Sequence, residues 1–183
     1  MNNLFLEQYS KSFLNIINNN QNLKKILKLA NLLKKIKKKI IIIGNGGSSA
    51  IASHFAVDCI KNTNLKCLNL SDHSLITCFA NDYGYENWVA KCIEFYGEKG
   101  DILIAISSSG KSKNILNGVK FAKKKLFSKI ITLSGFDNKN ALRKEGDLNI
   151  WVDSKVYNIV ENAHQYFLLT CIDLINHKKI NLK

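Results

Sequence analysis

Over residues 4–19, Leu4, Phe5, Tyr9, Phe13, Ile16 and Ile17 recur at three- and four-residue intervals and share one side of a helical wheel. Residues 22–38 repeat the pattern with Leu23, Ile26, Leu27, Ala30, Leu33 and Ile36. The two segments predict amphipathic helices, packed as an antiparallel pair ahead of any strand and available as an oligomer interface. At residue 39 the pattern changes. KIIIIG is a continuous apolar run, the mark of a strand buried on both faces of a parallel sheet. LKCLNLS, GDILIAIS, KIITLSG and LNIWVD predict four further strands. Helical spacing fills the intervals, in SSAIASHFAVDCIKN, NWVAKCIEFYG and KSKNILNGVKFAKKK, with short helices in DHSLITCFANDYG and NALRKEG. A long helix, YNIVENAHQYFLLTCIDLINHK, closes the chain. Strands alternating with helices define an α/β fold with a mainly parallel sheet covered on both sides. Residues 1–183 read as one domain, with helices over 1–38 and the α/β core over 39–183.

Composition narrows the class only slightly. The chain is 46% hydrophobic and 22% charged, ordinary for a globular protein. No run approaches the ~18 apolar residues of a membrane helix, and the N-terminus carries no visible signal peptide, so a cytoplasmic protein is expected. The five cysteines are scattered without a C-x-x-C pair and read as reduced, mostly buried small hydrophobes. A net charge of +13 raises nucleic acid as a partner. Against it, Lys24, Lys25, Lys28, Lys34, Lys35, Lys37, Lys38 and Lys39 follow helical spacing between leucines with no interleaved aromatics. They read as solvated faces rather than a phosphate-tracking surface.

The candidate chemistry gathers where strands run into helices, the ligand-binding end of an open parallel sheet. IIIIGNGGSSA and LIAISSSGKSKN share one grammar. Glycine admits backbone amides close to an oxyanion, serine hydroxyls add donors, and the following helix presents its N-terminus, which Ser48 or Ser49 could cap. Asn45, Gly46, Gly47 and Ser48 form the first corner; Ser107, Ser108, Ser109 and Ser112 form a dense donor set in the second. Neither matches a nucleotide P-loop or a dinucleotide fingerprint. His54 and Asp58, at i and i+4, share a helix face, which serves a metal, acid–base chemistry or a plain structural hydrogen bond. Asn81 and Asp82 fall in a polar loop between helices, and Glu161 and His164, at i and i+3, share a face of the last helix.

GNGGSSAIASHFAVD, FANDYG, ISSSGKS and ITLSG, in this order, resemble the phosphoheptose isomerases of the sugar-isomerase (SIS) class of phosphosugar-binding domains. The resemblance spans residues 5–176. It implies a flavodoxin-like three-layer sandwich with a five-stranded parallel sheet, assembled as a homotetramer with active sites between subunits. It also implies conversion of sedoheptulose 7-phosphate to D-glycero-D-manno-heptose 7-phosphate, often with zinc, feeding surface polysaccharide such as lipopolysaccharide or capsule. Carried over by position, Asn45, Gly46 and Gly47 contact the sugar, Asn81 and Asp82 form a substrate loop, and Ser107, Ser108, Ser109 and Ser112 cradle the phosphate. His54 matches a zinc ligand, and Asp58 replaces a glutamate that binds zinc and substrate.

The last helix departs from the family. Glu161 stands where the family has a ligand glutamine, His164 matches its first histidine, and Leu169 replaces the second, a zinc ligand. Leucine neither binds metal nor moves a proton, so the expected zinc set of His54, Asp58 and Glu161 is incomplete. The expected proton-moving groups are Asp58 and Glu161, with His164 as an acid or supporting group. Two alternatives accompany this reading. One is a non-catalytic SIS scaffold resembling a replication-initiation regulator; the other is an isomerase of a different sugar phosphate.

Overall fold

The computed structural model describes residues 3–176. Two helices, α1 (Asn3–Ile17) and α2 (Asn20–Leu33), precede five strands: β1 (Ile40–Ile43), β2 (Cys67–Asn69), β3 (Ile102–Ile106), β4 (Lys129–Ser134) and β5 (Leu148–Trp151). Between the strands lie α3 (Gly47–Thr63), α4 (His73–Tyr83), α5 (Trp88–Tyr96), α6 (Lys113–Lys124) and a 3₁₀ turn at Leu142–Glu145; α7 (Tyr157–Ile175) follows β5. The sheet is wholly parallel in the order β2-β1-β3-β4-β5. His177 and Lys178, predicted in the last helix, lie outside the described residues.

The period of two along each strand divides the core. Ile40 and Ile42 of β1, with Ile102, Ile104 and Ile106 of β3, face the layer containing Leu29 and Leu33 of α2, Phe55 of α3 and Phe167 of α7. Ile41, Ile43, Leu103 and Ala105 face the opposite layer with Trp88, Ile93, Ile115 and Val119 of α5 and α6. All four β1 isoleucines are buried, as their unbroken run predicts.

The N-terminal helices differ from expectation in two respects. Rather than packing mainly on each other, α2 lies on α7 and β5, and α1 lies on α7. The second helix also ends at Leu33, leaving the lysine-rich segment 34–39 as a turn into β1. Like charges at short helical spacing oppose each other and remain easier to hydrate outside the helix. Four cysteines are buried and Cys78 is exposed, all of them free. Among the described residues, no helix is long and apolar enough to cross a membrane.

Candidate active site

From β1 the chain passes outward to β2, then returns to place β3 on the other side of β1, so the strand order reverses between β1 and β3. Both serine and glycine corners emerge there, at the carboxyl ends of those two strands. A crevice at such a reversal is the general ligand position of open α/β sheets.

The first corner turns through Gly46, whose φ of +53° favours glycine. Gly46 occupies the cap position of α3, and no side chain closes the helix start. The expected Ser48 cap is therefore absent: Ser48 lies within the first turn, 3% exposed, and faces the crevice. Asn45 is fixed from the neighbouring element. Its Nδ2 donates to Asn114 Oδ1 (3.0 Å), and Asn114 Nδ2 donates to Asn45 Oδ1 (2.8 Å). Tyr85 Oη, in the loop after α4, donates to the same Asn45 oxygen at 3.5 Å.

The second corner is built from hydroxyls. Ser107 Oγ lies 3.1 Å from Ser112 Oγ, and Ser109 Oγ accepts from the Lys111 amide (3.3 Å). Ser112 is the cap residue of α6 but bonds no helix amide through its side chain. Gly110 takes a φ of +66°, and a Cβ there would collide with the Asn140 side chain. Asn140 braces this turn from the β4 side: its Nδ2 donates to Ser134 Oγ and to the carbonyls of Gly135 and Asp137, while its Oδ1 accepts from the Arg143 amide. The Gly135 amide also donates to Ser108 O (2.8 Å).

Glu161, one turn into α7, joins the corners. Ser108 Oγ donates to its Oε1 (3.4 Å), and the carboxylate fills the space that a side chain on Gly47 would take. Tyr157, one turn earlier on the same face, packs its ring against Phe136 at 4.8 Å between centroids, tilted by 58°. Together with Asn45, Ser48 and Ser107, Ser108, Ser109 and Ser112, these residues enclose a cavity of about 140 Å³. Among its lining groups, only Glu161 is a carboxylate.

Other expected residues lie elsewhere. His54 and Asp58 do pair, at 3.4 Å, on an outer stretch of α3. They sit about 10 and 16 Å along the helix from Gly47, at 1.5 Å per residue, and neither lines the cavity. The expected set of His54, Asp58 and Glu161 is not assembled: among the described residues no three His, Cys, Asp or Glu side chains form a metal-holding group. A single chain offers a pair, which does not fit a closed or catalytic zinc site. Asn81 and Asp82 are not in a loop but in the exposed last turn of α4, where Asn81 Nδ2 and Cys78 Sγ donate to the Asp82 carboxylate. His164 is wholly buried, and its Nε2 donates to Ser134 O (3.2 Å) behind the sheet end. Burial pushes its imidazole down to about 4, so the ring is neutral near pH 7, and it is not among the groups lining the cavity. Leu169 lines a separate groove between α1 and α7.

The fold agrees with that of known proteins similar to this chain. Residues 5–135 match the SIS domain family. A phosphoheptose isomerase of Campylobacter concisus is 33% identical over 177 residues, 93% of each chain. The chain belongs to the phosphoheptose isomerase family of SIS-domain proteins. Two solved structures of phosphoheptose isomerases are similar over nearly the whole length. The protein from Neisseria gonorrhoeae has a TM-score of 0.83 at 28% identity, covering 94% of this chain and 96% of that one. The one from Francisella tularensis has a TM-score of 0.84 at 27% identity, covering 96% of both. The flavodoxin-like, three-layer SIS architecture expected from the sequence is thus the fold observed.

Proposed function

We propose that this chain isomerises a sugar phosphate between ketose and aldose forms, sedoheptulose 7-phosphate to the heptose 7-phosphate. The observation that carries the reading is the placement of the Glu161 carboxylate where the two corners meet. The serine hydroxyls of Ser107, Ser108, Ser109 and Ser112 and the open start of α6 suit a phosphoryl group. Asn45, held by Asn114, presents its amide to sugar hydroxyls. Glu161 removes a proton from the carbon beside the carbonyl, giving an enediol(ate), and returns it to the neighbouring carbon. One carboxylate serves both transfers at carbon, and the hydroxyl proton passes to the former carbonyl oxygen within the enediolate, so no proton is gained or lost overall. No step is routed through zinc, since His54 and Asp58 pair apart from Glu161 and no three His, Cys, Asp or Glu side chains gather among the described residues of one chain.

A cavity of about 140 Å³ is small against the ~300–1,000 Å³ of ordinary small-molecule sites. It suits the phosphoryl end, with the sugar extending past Tyr85 toward a surface that a neighbouring subunit would complete. The exposed Leu4, Phe5, Leu6 and Leu14 of α1, and a groove of about 770 Å³ between α1 and α7, favour such an assembly. Within this reading the protein is a cytoplasmic homotetramer serving surface-polysaccharide synthesis, and Asp58 reaches substrate only through a partner.

The second reading, a phosphosugar-binding scaffold without catalysis, is favoured by one observation: the His54–Asp58 pair stands apart from Glu161. Conversion of sedoheptulose 7-phosphate, assayed with and without added zinc, separates the two. Turnover in either condition that is lost in Glu161→Gln supports the isomerase; its absence in both, with binding retained, leaves the scaffold.

A further inference from the structure

A second polar cavity, of about 430 Å³, opens at the β5 edge of the sheet where α1 turns into α2, and shares no lining residue with the serine corners. Its walls bring together Lys25, Asn138, Arg143, Trp151 and Asp153, with the first turn of α2. The Arg143 guanidinium lies over the Trp151 ring at 5.1 Å, and Nη1 donates to Asn138 O (2.7 Å), so the fork is held in place. Lys25 faces the same space. Burial and the neighbouring Arg143 charge both pull its ammonium below the usual lysine range.

Five lysines among the described residues pair with carboxylates, as in Lys113–Glu86 (2.8 Å) and Lys123–Glu145 (2.6 Å), and most of the others do not. Among the described residues, Lys25 and Arg143 have no ion-pair partner, although Asp153 lies on the same rim. Two partly buried like charges facing one concavity oppose each other, and a bound anion would relieve that repulsion. The guanidinium fork suits two phosphoryl oxygens, and Lys25 adds a point charge. Asp153 and the amide rim suit neighbouring hydroxyls.

We propose that this cavity is a second ligand site, for a small hydroxylated phosphate ester, with Arg143 and Lys25 on the phosphoryl group and Asp153 on a hydroxyl. The site is independent of the isomerase reading. It is tested on the full chain by following the two tryptophan indole N–H signals by NMR, assigned with Trp151→Phe, during titration with inorganic phosphate and then glucose 6-phosphate. The Trp151 signal moves saturably while buried Trp88 stays put, and the ester binds more tightly than phosphate. Arg143→Gln weakens binding by about tenfold or more, and Lys25→Gln, which breaks no hydrogen bond, by a smaller factor. Ser108→Ala leaves the response intact. A Trp151 signal that never saturates overturns the proposal. So does a response abolished by Ser108→Ala and untouched by Lys25→Gln, which would assign the anion to the serine corner. Equal affinity for phosphate and ester removes Asp153 from the site.

Discussion

The helices of this chain begin in two ways. The starts of α2 and α4 are closed by side chains: Asn19 Oδ1 accepts from the amides of Gln21 and Asn22, and Asp72 Oδ1 from those of Ser74 and Leu75. The starts of α3 and α6 carry no such bond, although serines stand in or beside both. A closed start satisfies its own orphan donors and adds stability; an open one beside a concavity leaves its positive end for a ligand. The starts of α5 and α7 also lack a side-chain cap, so it is an open start beside the crevice, not an open start alone, that offers donors to a ligand.

The largest expected effect strikes the open pair. Glu161→Gln keeps the shape and hydrogen bonding of the side chain but loses the base, and isomerase turnover should fall by about 10²–10⁴-fold with unchanged circular dichroism. Turnover within a small factor of wild type would move proton transfer to another group.

Next in size is a pH effect from the same helix. The folded-state value of His164, about 4, lies below its ordinary 6.5, so the unfolded chain binds the extra proton between those limits. Stability is therefore intact above the ordinary value and declines as pH falls from 6.5 toward 4, by about 3 kcal/mol at most. Urea denaturation across that range should show the slope, and a folded His164→Asn variant should have a shallower one.

Gly110→Ala meets both a positive φ and the Asn140 side chain, and should cost about 1–3 kcal/mol in urea midpoints while weakening phosphate-ester binding. The closed starts should behave in the opposite sense. Asn19→Ala should cost about 1 kcal/mol of stability and leave catalysis alone, whereas Ser112→Ala should spare stability and raise KM. The Asp72 carboxyl is held below its usual range chiefly by the Leu75 amide, so that cap is lost as pH falls through the lowered value. If Ser112→Ala destabilised as much as Asn19→Ala, the distinction between the two kinds of start would collapse.

The smallest effect belongs to the exposed pair on α3. His54→Ala or Asp58→Asn should change stability by less than about 0.5 kcal/mol, as other solvent-facing ion pairs do. A loss of turnover matching that of Glu161→Gln would bring α3 of a neighbouring subunit into the reaction.

Much of this architecture was legible from local pattern. The four isoleucines of β1 and the alternating apolar runs locate every strand, because a strand buried on both faces has little freedom in composition. The two corners were legible because glycine and serine there answer to backbone geometry. What escaped were residues whose role depends on distant partners. Asn114 looks like one more polar residue in KSKN, yet it sits 2% exposed and locks Asn45, 69 positions away. Tyr85 and Asn140 are similar cases, joined to the corners only after folding. FANDYG reads as a turn that would hold Asn81 and Asp82, but the helix runs on to Tyr83 and the turn begins at Gly84. Spacing pairs His164 with Glu161, yet three residues of helix carry it from the cavity wall into the core.

Helix α7 sets three environments in series: Glu161 between the corners, His164 under the sheet, and Leu169 in the groove beside α1. Leu169 lies eight residues beyond Glu161, about 12 Å along a stiff rod. One rigid element thus carries both the acidic group of the cavity and a wall of the groove between α1 and α7.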